Sequence, residues 1–72
     1  MFIAEFNNDY RVLLDISENT TIGEIETIVK LYYRKYYKRD VDYILYHILK
    51  HSYTINGEVT VNVRKIDDFF SF

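Results

Sequence analysis

No cysteine occurs anywhere in this chain, and at 72 residues that absence decides what can hold it together. A chain this short buries only about 60% of the surface its unfolded form exposes, and small domains with too little core are commonly stapled by disulfides or zinc. Here disulfides, cysteine-ligated zinc sites and thiol nucleophiles are all excluded, and nothing suggests an oxidising compartment. The chain must therefore fold on a hydrophobic core alone. Apolar residues make up 49% of it and aromatic residues 18%, well above the composition of a disordered chain. A single domain over residues 1–72 is the expected organisation, because the length leaves no room for a second core or a linker.

Nine basic and eleven acidic residues give a net charge of −2, neither the basic excess of a general nucleic-acid binder nor an extreme acidic surface. The opening Met1-Phe2-Ile3-Ala4-Glu5 lacks the charged and apolar regions of a signal peptide. No apolar run approaches the roughly 18 residues of a membrane span. The expectation is a cytoplasmic protein. Asn19-Thr20-Thr21 matches a glycosylation acceptor, which without a secretory signal reads as chance. Ile, Tyr, Phe, Asn and Lys together supply 32 of the 72 residues, against one Ala and no Pro. Their codons are rich in A and T, so the composition points to an AT-rich source genome. The same bias gives the eight tyrosines a cause other than binding.

Phe2, Ala4 and Phe6 alternate with Ile3 and Glu5, and after Asn7-Asn8-Asp9 the alternation resumes with Val12, Leu14 and Ile16. Asn and Asp tolerate positive backbone torsions, so this stretch predicts a β-hairpin. Thr21-Ile22-Gly23-Glu24 fits a capping box in which Thr21 and Glu24 each satisfy an orphan amide. A helix is predicted over about residues 21–37. Its inner face is Ile22, Ile25, Val29, Tyr32, Tyr33 and Tyr36, and its outer face holds Lys30, Arg34, Lys35 and Lys38. Acids in the first turns and bases in the last complement the helix dipole. Residues 41–51 read two ways: Asp40 could cap a second helix buried through Val41, Ile44, Leu45 and Ile48, or Tyr43 to Ile48 could form a central strand. Asn56-Gly57 is the clearest turn signal, and Val59, Val61 and Val63 then alternate with Thr60, Asn62 and Arg64 as a half-buried strand.

Leu14-Asp15-Ile16, four polar residues and Thr21-Ile22 with Ile25 and Ile28 form one telling stretch; Tyr53-Thr54-Ile55-Asn56-Gly57-Glu58 running into Val59, Val61 and Val63 forms another. Both resemble the ubiquitin-like β-grasp superfamily, at its second strand with the start of its helix and at the turn into its last strand. The fold this implies is α+β, a small β-grasp domain with an N-terminal β-hairpin, the helix and C-terminal strands. The alternative is a hairpin, two helices and a hairpin. The family's conjugated and sulfur-carrier members end in Gly-Gly, whereas this chain ends Phe69-Phe70-Ser71-Phe72, so neither role is expected. The outward Thr60, Asn62 and Arg64 of the last strand do not form the apolar patch that many members use.

Candidate chemistry is sparse. His47 and His51 would share a helix face as two metal ligands, but no third ligand stands at a recognised spacing. Glu24 and Glu26 diverge on a helix and make no acid-base pair. The serines lie outside any nucleophile-elbow context, and two glycines cannot build a phosphate loop. No enzyme activity, cofactor or metal is expected.

The outstanding segment spans residues 30–39, where five of the nine basic residues fall without an intervening acid among four tyrosines and Leu31. One reading is a solvated helix face whose charges match the dipole. Another is a partner-binding surface made of Lys30, Leu31, Tyr33, Arg34, Lys35, Tyr37 and Lys38, since exposed Tyr, Arg and Leu are common in binding hot spots. The expected function is a non-enzymatic protein-interaction module that docks on a partner protein, with an acidic surface suiting it, and modulates that partner. Were the source a virus, inhibition of a host factor would be its natural form. The alternative is a small nucleic-acid-binding regulator in which Lys and Arg neutralise phosphates and tyrosine rings stack on bases. A homo-oligomer joined through Phe69, Phe70 and Phe72 is a further expectation; no membrane association is expected.

Overall fold

The computed structural model describes residues 1–66, so the reading of Phe69, Phe70 and Phe72 as an oligomer contact lies outside the described residues. Strands β1 (Phe2–Phe6) and β2 (Tyr10–Leu14) form the N-terminal hairpin, α1 (Ile22–Tyr37) follows, and β3 (Ile44–His47), β4 (Ser52–Ile55) and β5 (Val59–Lys65) complete the chain. The strands make one sheet in the order β2-β1-β5-β4-β3, with every neighbouring pair antiparallel. Helix α1 covers one face of it. The element order of the β-grasp resemblance is thus present, but one direction is not. In a ubiquitin-like β-grasp sheet the first and last strands lie side by side and parallel, whereas here Phe2 faces Lys65 and Phe6 faces Val61.

The alternation of β1 explains the core. Ala4 and Phe6 point under α1 together with Val12, Leu14, Tyr53, Ile55, Val59 and Val61, and the helix contributes Val29 and Tyr33. The other β1 face is nearly as covered, because a central strand is flanked on both sides. Ile3 is buried, and Glu5 lies between Arg11 at 2.9 Å and Arg64 at 3.4 Å. Each carboxylate oxygen meets a guanidinium, which compensates its partial burial.

Residues 41–51 take the strand reading, not the helical one. Ile44 and Tyr46 turn inward while Leu45 and His47 turn out, the two-residue period of a pleated strand. Yet β3 is an edge strand rather than the expected central one, and only four residues of it pair. Residues 48–51 form the turn into β4, which leaves Ile48 and Leu49 exposed and His51 at φ 49°.

Helix α1 begins as expected at the Thr21 cap, whose hydroxyl oxygen accepts the Glu24 amide at 3.2 Å. The reciprocal half of the box differs: the Thr21 hydroxyl itself donates to the Glu24 carboxylate at 3.0 Å. The helix ends at Lys38, which adopts a left-handed conformation and returns its amide to the Arg34 carbonyl at 3.1 Å.

At that end of the molecule the turns are tied together by two asparagines with positive φ, Asn7 and Asn56. Asn7 exchanges backbone and side-chain bonds with Thr60 and donates to the Glu58 carbonyl. Asn56 does more. Its Oδ1 accepts the amides of Asp42 and Tyr43 at 2.8 and 3.1 Å, and its Nδ2 donates to the Asp40 carbonyl at 3.1 Å and the Tyr33 hydroxyl at 3.2 Å. Gly57 follows at φ 68°, where an added Cβ would stand 2.6 Å from the Tyr43 hydroxyl. At the opposite end the buried Tyr53 hydroxyl donates to the Ile22 carbonyl at 3.1 Å.

Asn56→Ala removes all four side-chain bonds and strains a left-handed position, so it is expected to lower stability by about 3 kcal/mol. Asn56→Asp keeps the acceptors, and urea unfolding should show about half that loss. A second outcome concerns alkali. Burial first, then the neighbouring Tyr46 and Glu26, push the Tyr53 phenol up to about 12. The folded state holds this proton after the unfolded chain has released it, so stability is present in full below about pH 10 and falls as pH rises toward 12. Denaturation midpoints should decline over that window, and Tyr53→Phe should flatten the decline.

Candidate functional site

On α1 the side chains divide as the helical period requires. Tyr33 is fully buried, and the structure corrects its assignment to a partner-binding surface: its ring stacks on Tyr37 at 5.1 Å and its hydroxyl belongs to the Asn56 cluster. Position 33 lies four residues from Val29, on the helix face that packs against the sheet. Tyr37 is partly covered in the same way. Its ring contacts Tyr10 and Phe6, and its hydroxyl is buried without a hydrogen-bond partner among the described residues. Burial, reinforced by Asp9, raises its pKa.

Leu31, Arg34, Lys35 and Lys38 do reach solvent, at spacings of three and four residues along one stripe. Lys30, half-buried, is bridged to Glu26 at 3.6 Å. Arg39 pairs with Glu58 at 2.8 Å. Arg34, Lys35 and Lys38 have no carboxylate partner among the described residues, and Lys35 rests 5.8 Å from the centre of the Tyr36 ring. Arg34 and Lys38, four apart, repel each other by about 0.2–0.5 kcal/mol, which the C-terminal end of the helix dipole offsets.

The remaining tyrosines are occupied internally. Tyr10 stacks on Tyr36 at 4.7 Å and 7°, and Tyr36 on Tyr32 at 6.0 Å and 15°, giving a three-ring ladder between β2 and α1. Beside it runs an open groove of about 560 Å³ between the β2 edge and the helix, lined by Leu13, Leu14, Ile16, Ile28, Leu31 and Tyr32, with Asp15 and Lys35 also on its walls. The basic stripe therefore borders an apolar groove. Ile28 and Leu31 stand three apart in the sequence and could have suggested a second apolar stripe. The contribution of Leu13 and Ile16 depends on β2 being an edge strand, which no local pattern shows.

A second hollow, of about 540 Å³, opens near the start of α1 and includes Phe2, Ile25, Tyr46, Lys50, Tyr53 and Val63 among its walls. His47 and His51 are not on a helix. His47 lies on β3 with its Nε2 2.8 Å from the Thr54 hydroxyl, and His51 lies in the following turn. Among the described residues no three His, Asp or Glu side chains gather as a metal site, and no helix is long and apolar enough to cross a membrane.

Comparison of the chain with protein-family models, with curated proteins and with solved structures finds no match.

Because Leu31 and Arg34 face solvent, and Arg34 has no ion pair among the described residues, Leu31→Ala and Arg34→Ala should each shift the unfolding free energy by less than about 0.5 kcal/mol. A loss several times larger in urea titrations would make these side chains structural.

Proposed function

We infer that the chain is a non-enzymatic protein-interaction module that docks through the exposed stripe of α1 and modulates the partner it binds. The observation that carries this reading is the combination of three bases without a carboxylate partner among the described residues, Arg34, Lys35 and Lys38, with the exposed Leu31 at the lip of an apolar groove. Charge without apolar surface would serve solvation, and apolar surface without charge would favour collapse; side by side they suit a partner with an acidic rim around an apolar contact. Lys30 and the partly covered Tyr37 border the stripe.

The nucleic-acid reading loses support from the ring geometry. Stacking on bases requires free faces, and Tyr32, Tyr33, Tyr36 and Tyr37 each have a face or edge against another ring of the fold. Bases without stacking platforms would give at most salt-sensitive, sequence-independent contact.

Pull-down from a lysate of the source or host cell, with and without nuclease, tests the reading. The expected result is a stoichiometric protein retained after nuclease. Arg34→Glu combined with Lys38→Glu should weaken that complex about tenfold or more while the circular dichroism spectrum stays unchanged. Undiminished binding by the double variant, or recovery that collapses with nuclease, would overturn it.

A further inference from the structure

We propose that the β2 edge and the flank of α1 together take up an extended segment of the partner protein, added as a sixth strand, whose helix-facing positions, every second residue, carry apolar side chains and beyond them acidic ones. This rests on the reading of α1 as the docking surface and goes on to name the partner's conformation and chemistry.

The hydrogen-bond phase of the sheet shows that the edge is available. Asn7 donates to the Thr60 carbonyl at 2.9 Å and Ile66 to the Met1 carbonyl at 3.2 Å, so odd-numbered residues along β1 bond toward β5. In an antiparallel ladder the intervening residues bond the other way. Phe2, Ala4 and Phe6 therefore bond to Leu14, Val12 and Tyr10. Between these, Arg11 and Leu13 direct their N–H and C=O groups away from β1, along the side of β2 where no strand pairs among the described residues. An extended backbone alongside would meet two donors and two acceptors spaced about 7 Å apart, the repeat of every second strand residue.

The groove supplies what a strand edge alone lacks. A strand laid beside β2 turns alternate side chains toward the helix side of the sheet, where Ile16, Ile28, Leu31 and Tyr32 line the groove of about 560 Å³. Lys35 stands on the groove wall, and Arg34 and Lys38 continue the exposed helix stripe beside it without carboxylate partners among the described residues, so an acid two residues beyond the apolar ones, on the same face of the added strand, completes the charge. A second copy of this chain fits less well. Antiparallel pairing of two β2 edges would place both basic helices on one face of the joint sheet, bringing like charges together.

Two synthetic peptide pools serve as probes against the isotope-labelled full chain, one carrying Val or Ile and then Glu at every second residue with Ser or Thr between, the other with Lys in place of Glu. The acidic pool should bind at least tenfold more tightly, and binding should slow hydrogen exchange at the Arg11 and Leu13 amides. Leu13→Pro deletes an outward donor without touching the β1 ladder, and Leu13→Ala deletes only the side chain. The proline variant should lose at least tenfold in affinity and the alanine variant less than about threefold. Equal losses in the two variants, or binding without new protection at Arg11 and Leu13, would overturn strand addition while leaving the α1 surface standing. Loss of acidic-pool binding in Leu13→Pro, with no effect of Arg34→Glu and Lys38→Glu, would instead remove the helix stripe from the site and overturn the acidic preference. Failure of both pools to bind, or a concentration-dependent dimer that Leu13→Pro dissolves, would overturn the choice of occupant.

Discussion

A single primary amide, that of Asn56, ties the β4–β5 turn both to helix α1 and to the segment that leaves it. Its oxygen takes two backbone amides of the segment leaving α1, and its nitrogen reaches the carbonyl of Asp40 and the hydroxyl of the core residue Tyr33. The residue also occupies the left-handed position of the β4–β5 turn. Only a short side chain with both donor and acceptor, tolerant of positive φ, meets these demands at once. The consequence is directional. The chain leaving the helix at Lys38 is brought to the β4–β5 turn before β3 begins, so β3 can pair with β4 and close the sheet on the side opposite β2. A fold of this size without covalent staples depends on such convergence, because no second core exists to fix the crossing chain.

The features legible in the sequence were those whose causes are local. Thr21 and Glu24 specify a helix start through atoms within one turn, Asn7-Asn8 and Asn56-Gly57 specify turns through the torsions their side chains permit, and Val59, Val61 and Val63 reveal a buried face through period two. Residues 44–47 were not legible. Ile44, Leu45 and Ile48 satisfy a helical spacing as well as Ile44 and Tyr46 satisfy a strand, and the decision falls to the partner strand β4. That one ambiguity governs the largest departure from the β-grasp resemblance. Helix α1 runs in the direction of β1, so three following strands bring the last one back antiparallel to β1, whereas two would bring it back parallel. The four residues of β3 set that count.

The candidate surface was half legible for the same reason. Leu31, Arg34, Lys35 and Lys38 follow from helical period alone, and the structure exposes them. Tyr33 falls on the inner face by helical period and on the candidate surface by residue type, and the fold decides for the core; a tyrosine hydroxyl satisfied in the core leaves no mark in a sequence. The groove beside the helix depends on which strand ends the sheet, a property of topology and not of any segment.

The tyrosines show how composition and surface chemistry part company. Read as a row of basic and aromatic residues, positions 30–39 suit a protein partner first and nucleic acid as the alternative. In the fold, each ring in that row meets at least one other aromatic ring, and the Tyr10-Tyr36-Tyr32 ladder turns ring faces toward one another. What remains exposed is the charge and Leu31. Three like charges within five residues gain nothing from each other, and the helix dipole and the Tyr36 ring beneath Lys35 compensate them modestly. A carboxylate brought by a partner would relieve that repulsion and gain a charge-assisted hydrogen bond in the same step, which favours an acidic protein surface over continued solvation.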